Sequence, residues 1–270
     1  MNNLLIDTGF NGLKKFKFGY CLYNKNDIYV GKSIELYGEY CKGETDLFAQ
    51  ICKRDDVVIE VGANIGTHTV ALAQMVGEKG LVYAFEPQRV VFQTLCANLA
   101  LNSLANTYAY SYAIGNKNGK ICIPKLDYNR KNNFGGIGLE NVQSDETVEI
   151  KTLDSFLEIK RLKLLKIDVV GMELDVLKGA KSTIITHHPI IYVENGRLEK
   201  SQELIEYLWS MEYELYWHTP ALFNLNNYYK NKENVIGNFI AINMLCIPKK
   251  SSIQVLDLEK ITHSLAHPKR

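Results

Sequence analysis

The chain has 270 residues, 46% of them hydrophobic and 23% charged, which is enough apolar side chain for a sizeable core and too much for a disordered segment. Lys and Arg number 31 against 30 Asp and Glu, and a net charge of +1 argues against a nucleic-acid partner or an anionic membrane surface. The six cysteines (Cys21, Cys41, Cys52, Cys96, Cys122 and Cys246) are scattered without a Cys-x-x-Cys pair, as reduced core residues are. No stretch reads as a signal peptide or a membrane span, so the expectation is a soluble, cytoplasmic protein.

Three regions are expected: an N-terminal hairpin and cap over residues 1–50, a main domain over 51–248 and a peripheral tail over 249–270. Gly19-Tyr20-Cys21-Leu22-Tyr23 and Ile28-Tyr29-Val30 flank the polar Asn24-Lys25-Asn26-Asp27, the signature of a hairpin. A short helix follows Tyr37-Gly38-Glu39 and stops near Arg54, placing a cap over the ligand end of the main sheet. From Val57 the pattern alternates: strand 57–61, helix 66–76, strand 81–85, helix 89–102 stopping at Asn102, and strand 107–114. Residues 116–151 hold two inserted short strands around a polar loop at 129–138. Asp154 is read as the N-cap of the next helix. Strand 164–169, helix 173–180, strand 190–194, helix 200–210 and strands 213–217 and 239–246 complete the order, with the tail read as a peripheral helix or a partly disordered segment. The alternation predicts an α/β fold, a Rossmann-like, mostly parallel sheet of seven strands with helices on both faces.

The run Glu60-Val61-Gly62-Ala63-Asn64-Ile65-Gly66-Thr67 joins a buried strand to a helix through a glycine-bearing turn, which is where ligands dock. Its spacing is not the Gly-x-Gly-x-x-Gly of dinucleotide binders, and a carboxylate at the strand tip repels pyrophosphate and welcomes an ammonium. S-adenosylmethionine is the candidate ligand. Glu86 stands twenty positions after Gly66, where an acid holding ribose hydroxyls is expected. Asp168 and Glu194 end apolar strands, where an uncompensated charge is costly, and Lys166 lies on the same strand face as Asp168. The functional reading places an acceptor hydroxyl between these acids and a methyl donor.

Together these stretches resemble the FkbM-type methyltransferases of the class I S-adenosylmethionine-dependent superfamily. The resemblance is carried by Tyr37-Gly38-Glu39 and Glu44, the run from Glu60 to Gly66, Ala84-Phe85-Glu86-Pro87, Asn98 to Asn102, Thr152-Leu153-Asp154-Ser155 and Lys166 to Glu173. Leu177-Lys178-Gly179-Ala180, Glu194, Trp217-His218-Thr219-Pro220 and Asn243 to Pro248 extend it, so that it covers residues 37–248. It implies methylation of a hydroxyl on a sugar, glycan or glycosylated metabolite. One departure stands out: such proteins usually read Asp-Val-Glu-Gly where this chain has Asp168-Val169-Val170-Gly171, so that any role of that glutamate is either absent or taken by Glu173 one turn further on.

On this reading Glu60 and the turn of Gly62, Ala63, Asn64, Gly66 and Thr67 hold the methionine end of the donor. Glu86 holds the ribose, Pro87 and Ala113 border the adenine, Asp168 borders the donor and Glu44 closes the site from the cap. Two routes activate the hydroxyl. In one, Asp168, Glu194 and His218, with Lys166 beside them, act as base and orienting groups. In the other, Asp168, Glu194 and Asn195 ligate Mg²⁺, a placement resembling the catechol-type O-methyltransferases. Acceptor contacts are expected from residues 134–138 and 216–229, while His68 is read as a packing residue. N-methylation of a small molecule and a non-catalytic, donor-binding partner of a glycosyltransferase are the alternatives. Association with glycosyltransferases and a homodimer are the partner expectations.

Overall fold

The computed structural model describes residues 4–139, 142–144, 146–156 and 158–269. Strands β1 (Leu4–Thr8), β2 (Asn11–Phe16) and β3 (Gly19–Asn24) form an antiparallel sheet of their own. The expected hairpin is displaced. Residues 19–24 form a strand, but it pairs backward with β2, and Val30 opens helix α1 (Val30–Tyr37). Between them the Asp27 carboxylate accepts the Tyr29 amide at 2.9 Å, turning the chain out of the sheet.

Helix α2 (Lys42–Ile51) leads into β4 (Val57–Val61), α3 (Thr67–Val76), β5 (Leu81–Phe85), α4 (Arg89–Leu101) and β6 (Thr107–Tyr110). The strand expected over 107–114 breaks after Tyr110: β7 (Ala113–Ile114) joins a second small sheet with β8 (Gly119–Cys122) and β9 (Thr147–Lys151). Then come α5 (Leu153–Phe156), β10 (Leu164–Ile167), α6 (Glu173–Gly179), α7 (Lys181–His187), β11 (Ile190–Glu194), α8 (Leu198–Ser210), β12 (Tyr213–His218), β13 (Asn243–Pro248) and β14 (Glu259–Lys260).

The main sheet runs β14-β12-β13-β11-β10-β4-β5-β6, parallel from β11 to β6, with β13 antiparallel to its neighbours. Successive side chains of a strand point to opposite faces, so a strand that is apolar throughout must be covered twice. Val58, Leu164 and Ile190 pack against Phe48 of α2 and Leu72 and Val76 of α3. Ile59, Leu165 and Ile191 pack against Val176 of α6 and Leu204 and Leu208 of α8. The result is a mixed α/β fold with a mostly parallel central sheet between two layers of helices.

Three details differ from the expected elements. The final long strand begins at Asn243, because residues 219–242 loop away from the sheet and are tied by an isolated bridge between Ala221 and Ile240. The tail supplies β14, an eighth strand of the main sheet, rather than a helix. Asp154 does not cap its own helix: the Thr152 hydroxyl accepts the Ser155 amide at 3.2 Å, while Asp154 takes the amides of Ser182 and Thr183, each at 2.8 Å, at the start of α7. The small N-terminal sheet is pinned by Asn98 of α4, whose carboxamide accepts the Leu22 amide at 2.6 Å and donates to the Ile65 carbonyl at 2.7 Å. Among the described residues no helix is long and apolar enough to cross a membrane.

Candidate active site

Strands β4 and β10 are neighbours, yet the chain leaves β4 toward β5 on the other side. At such a reversal a parallel sheet opens a crevice beyond its carboxyl ends. Here the crevice has two halves that share Gly62, Glu86, Gln88, Gly135, Asp168 and Val170. One half is an apolar slot walled by Pro87, Tyr112, Ala113, Ile137, Val169 and Met172. The other is polar and holds Glu44, Glu60, Thr67, His68, Lys166 and Glu194, with Tyr29, Phe239 and Lys269 at its rim.

The glycines of the loop serve the protein's own packing. Gly62 and Gly66 have φ of +84° and +86°, a region that disfavours side chains. A Cβ on Gly62 would stand 1.9 Å from the Asp168 carbonyl oxygen, and one on Gly66 2.6 Å from Leu95. The first lets the loop cross the end of β10 and the second seats α3 on α4. Gly66 does not wall the crevice, whereas Gly62, Ala63, Asn64 and Thr67 do.

Glu60 is likewise committed. It is 1% exposed, and its Oε2 accepts the Thr69 hydroxyl at 2.6 Å while Oε1 faces Lys166 Nζ at 3.3 Å. The ammonium that this carboxylate was expected to meet is supplied by Lys166. Lys166, also 1% exposed, reaches Asp168 Oδ2 at 3.1 Å as well. Burial pulls the lysine pKa down, but Asp168, Glu60 and Glu44 outweigh it and hold it above the usual range. Burial raises the Glu60 carboxyl against the opposing pull of Lys166 and Thr69.

Glu86 sits where the halves meet. Its oxygens accept the amides of Asn64 at 3.0 Å and Gln88 at 2.9 Å, and burial lifts its pKa to about 7. Each oxygen keeps a lone pair for a ligand hydroxyl. Pro87 and Ala113 stand on the slot side. Glu194, at the tip of β11, is raised to about 8 by burial and then by Asp168, Glu173 and Glu44, and no hydrogen bond holds it among the described residues. Burial also lifts Glu44 to about 7. The polar half therefore gathers Glu44, Glu60, Asp168 and Glu194 around a single buried cation.

Two expected participants lie elsewhere. His218 bonds the Tyr192 hydroxyl through Nδ1 at 2.8 Å, its pKa lowered by burial, and does not wall the crevice because β13 intervenes between its strand and β11. Asn195 turns its amide inward, donating to Ser201 Oγ at 3.0 Å with Met244 Sδ at 3.3 Å. The oxygen set expected for Mg²⁺ does not fit: Asn195 faces away and Asp168 already meets an ammonium. Among the described residues no group of three or more His, Cys, Asp or Glu is arranged to hold a metal. Glu173 turns back to accept the Gly171 amide at 3.0 Å ahead of its helix, while Val170 walls both halves.

The acceptor stretches also shift. From residues 134–138, Gly135, Gly136 and Ile137 reach the crevice, but Phe134 is 2% exposed and stacks on Tyr128. From residues 216–229 Leu222 reaches it, whereas Tyr229 bonds the Lys15 carbonyl. Sequence reasoning missed Gln88, Tyr112, Met172, Asn243 and Phe239. Only Gln88, two residues past a strand-end acid, carried a local signal.

Known proteins share this chain's pattern. The hexuronic acid methyltransferase AglP of Haloferax volcanii is 29% identical over 151 residues, 53% of this chain and 59% of that protein. Methyltransferase 1 of Beauveria bassiana is 26% identical over 146 residues, 46% of this chain and 58% of that one. The match therefore spans less than two thirds of either relative. The solved structure of methyltransferase FkbM from Methylobacillus flagellatus superposes with a TM-score of 0.49 at 15% identity, covering 74% of this chain and 50% of that chain. The family described as Methyltransferase FkbM domain matches residues 60–215, from the acid of β4 through Glu86, Asp168 and Glu194 into β12. That match takes in more than half of the chain, which belongs to the FkbM methyltransferase family.

Proposed function

We propose that the protein is an S-adenosylmethionine-dependent O-methyltransferase acting on a hydroxyl of a sugar or glycan. The observation that carries this reading is the divided crevice. An apolar slot, a carboxylate with free lone pairs at its edge, and a chamber with more carboxylates than cations suit a nucleoside bearing a positively charged side chain. When bound, S-adenosylmethionine supplies a methyl group made electrophilic by its sulfonium.

The chain's own residues then align and deprotonate the acceptor. Pro87, Ala113 and Met172 take the adenine, and Glu86 takes the ribose hydroxyls. Lys166 fixes Asp168 beside the reacting centre, where its free oxygen orients the acceptor hydroxyl. Glu194, with a pKa of about 8 and no partner holding it among the described residues, receives the hydroxyl proton as the acceptor oxygen takes the methyl group. Support for a sugar comes from the relative named for hexuronic acid and from the rim, where Tyr29 and Phe239 pack edge to face at 5.4 Å and offer a carbohydrate an aromatic wall.

The test is transfer of isotope-labelled methyl over a panel of neutral sugars, hexuronic acids and oligosaccharides, with product mapping by mass spectrometry and NMR. Label on a hydroxyl oxygen of the sugar, as a methyl ether, is the expected result, unchanged by EDTA. Label on a carboxylate, as a methyl ester, or donor binding with no transfer to any member, would sink the proposal.

A further inference from the structure

Glu60 gives Oε2 to the Thr69 hydroxyl and turns Oε1 to the Lys166 ammonium, which directs the donor's amino-acid end to polar groups elsewhere in the chamber. Among the described residues four buried side-chain atoms of the chamber wall lack a hydrogen-bond partner: Glu44 Oε2, His68 Nε2, Glu60 Oε1 and Gln88 Oε1. Glu60 Oε1 faces the Lys166 ammonium and Gln88 stands where the chamber joins the slot, which leaves Glu44 Oε2 on α2 and His68 Nε2 on α3 as an adjacent pair. Each residue is 4% exposed. The remainder of each is fixed. Glu44 Oε1 accepts from Asn243 Nδ2 at 3.0 Å and from the Cys41 thiol at 3.4 Å, and the imidazole sits between the rings of Tyr40 and Phe48, with both centroids at 5.7 Å. The two free atoms are 3.6 Å apart, beyond a normal hydrogen bond.

Buried polar atoms are rarely left unmatched, and a pair left open side by side on a cleft wall calls for a ligand that completes both. An acceptor beside an imidazole nitrogen complements an ammonium beside a carboxylate. His68 also lies in the first turn of the ten-residue α3, where a helix favours an anion. Burial, aided by the Lys166 charge, holds the imidazole well below the usual histidine range, so it is neutral and can carry its one N–H at Nε2.

We infer that Glu44 and His68 together hold the amino-acid end of the methyl donor, the ammonium on Glu44 and the carboxylate on His68. This rests on the function proposed above. Glu60 then acts from behind, keeping Lys166 in place, and α2 becomes part of the donor site rather than a cover over it.

The experiment is calorimetric titration of wild type, Glu44→Gln and His68→Phe with three probes: S-adenosylmethionine, S-adenosylhomocysteine and 5′-methylthioadenosine. The last keeps nucleoside and sulfur but lacks the amino-acid end. Each variant should lose about 10- to 100-fold in affinity for the first two probes, the effect of removing one charged hydrogen bond, and about twofold or less for the third. Retained 5′-methylthioadenosine binding shows at the same time that the variant is folded. Equal losses for all three probes, or no loss for any, would overturn the inference, since the two atoms would then only pack against each other. A wild type that binds none of the three would instead remove the proposed function, and this assignment with it.

Discussion

The two halves of the crevice grow from the same strand ends by opposite means. The slot is closed by side chains from outside the main sheet, Tyr112 at the strand break and Ile137 on the loop, with Met172 from the segment before α6, and it selects by shape and dryness. The chamber is built from charges on or at the ends of β4, β10, β11 and α2, with buried Lys166 among Glu44, Glu60, Asp168 and Glu194. Recognition in the slot is a matter of area. In the chamber every charge depends on its neighbours, so a change to one is felt by all.

Substitutions can break this contrast in a definite order. The largest effect should follow Lys166→Met, which leaves the buried Glu60 and the half-exposed Asp168 without their cation; loss of one partner of the buried Glu60 pair costs about 3–5 kcal/mol, to be read from urea unfolding. Glu194→Gln removes the proton acceptor and should lower methyl transfer about 10²–10⁴-fold, with donor affinity by calorimetry little changed. In the slot, Met172→Asp places a lone carboxylate on an apolar wall. It should weaken S-adenosylmethionine and 5′-methylthioadenosine alike, about 10- to 100-fold, the opposite of the selective loss expected at Glu44.

The wild-type pH profile sharpens the same contrast. Glu194 must be ionised to accept a proton, and burial among acids raises its pKa to about 8. Thus kcat/KM should rise about tenfold per pH unit on the acid side of that value and level off above it. Glu194→Gln should lose this limb; a wild type with no such limb would remove Glu194 from the role. The smallest change belongs to the rim: Phe239→Ala should raise the acceptor KM by about two- to tenfold while donor affinity stays fixed.

Local pattern reached most of the scaffold. Runs such as Val57-Val58-Ile59 and Leu164-Leu165 are apolar because both faces of the sheet are covered, and that constraint is written in adjacent residues. The hairpin near residue 24, the strand expected over 107–114 and the cap at Asp154 misled for a shared reason. Each is decided by which distant segment offers a partner: β2 for β3, β9 for β7, and the amides of α7 for Asp154. The candidate site was legible where strand ends converge, at Glu86, Asp168 and Glu194. It was not legible at Met172, Asn243 and Phe239, whose positions relative to the sheet edge depend on loops.

What the sequence by itself determined is the alternation of strand and helix and the acids standing at the carboxyl edge, since periodicity and position within a strand are local properties. What the tertiary structure alone decided is how those acids are employed. Glu60 and Glu44 share one side-chain chemistry, both buried and both beside the crevice. A lysine ammonium from the neighbouring strand and a threonine from α3 face the two oxygens of the first, while Oε2 of the second faces, among the described residues, only the His68 imidazole at 3.6 Å. Availability for a ligand is a property of what surrounds a group, and those surroundings come from segments far apart in the chain.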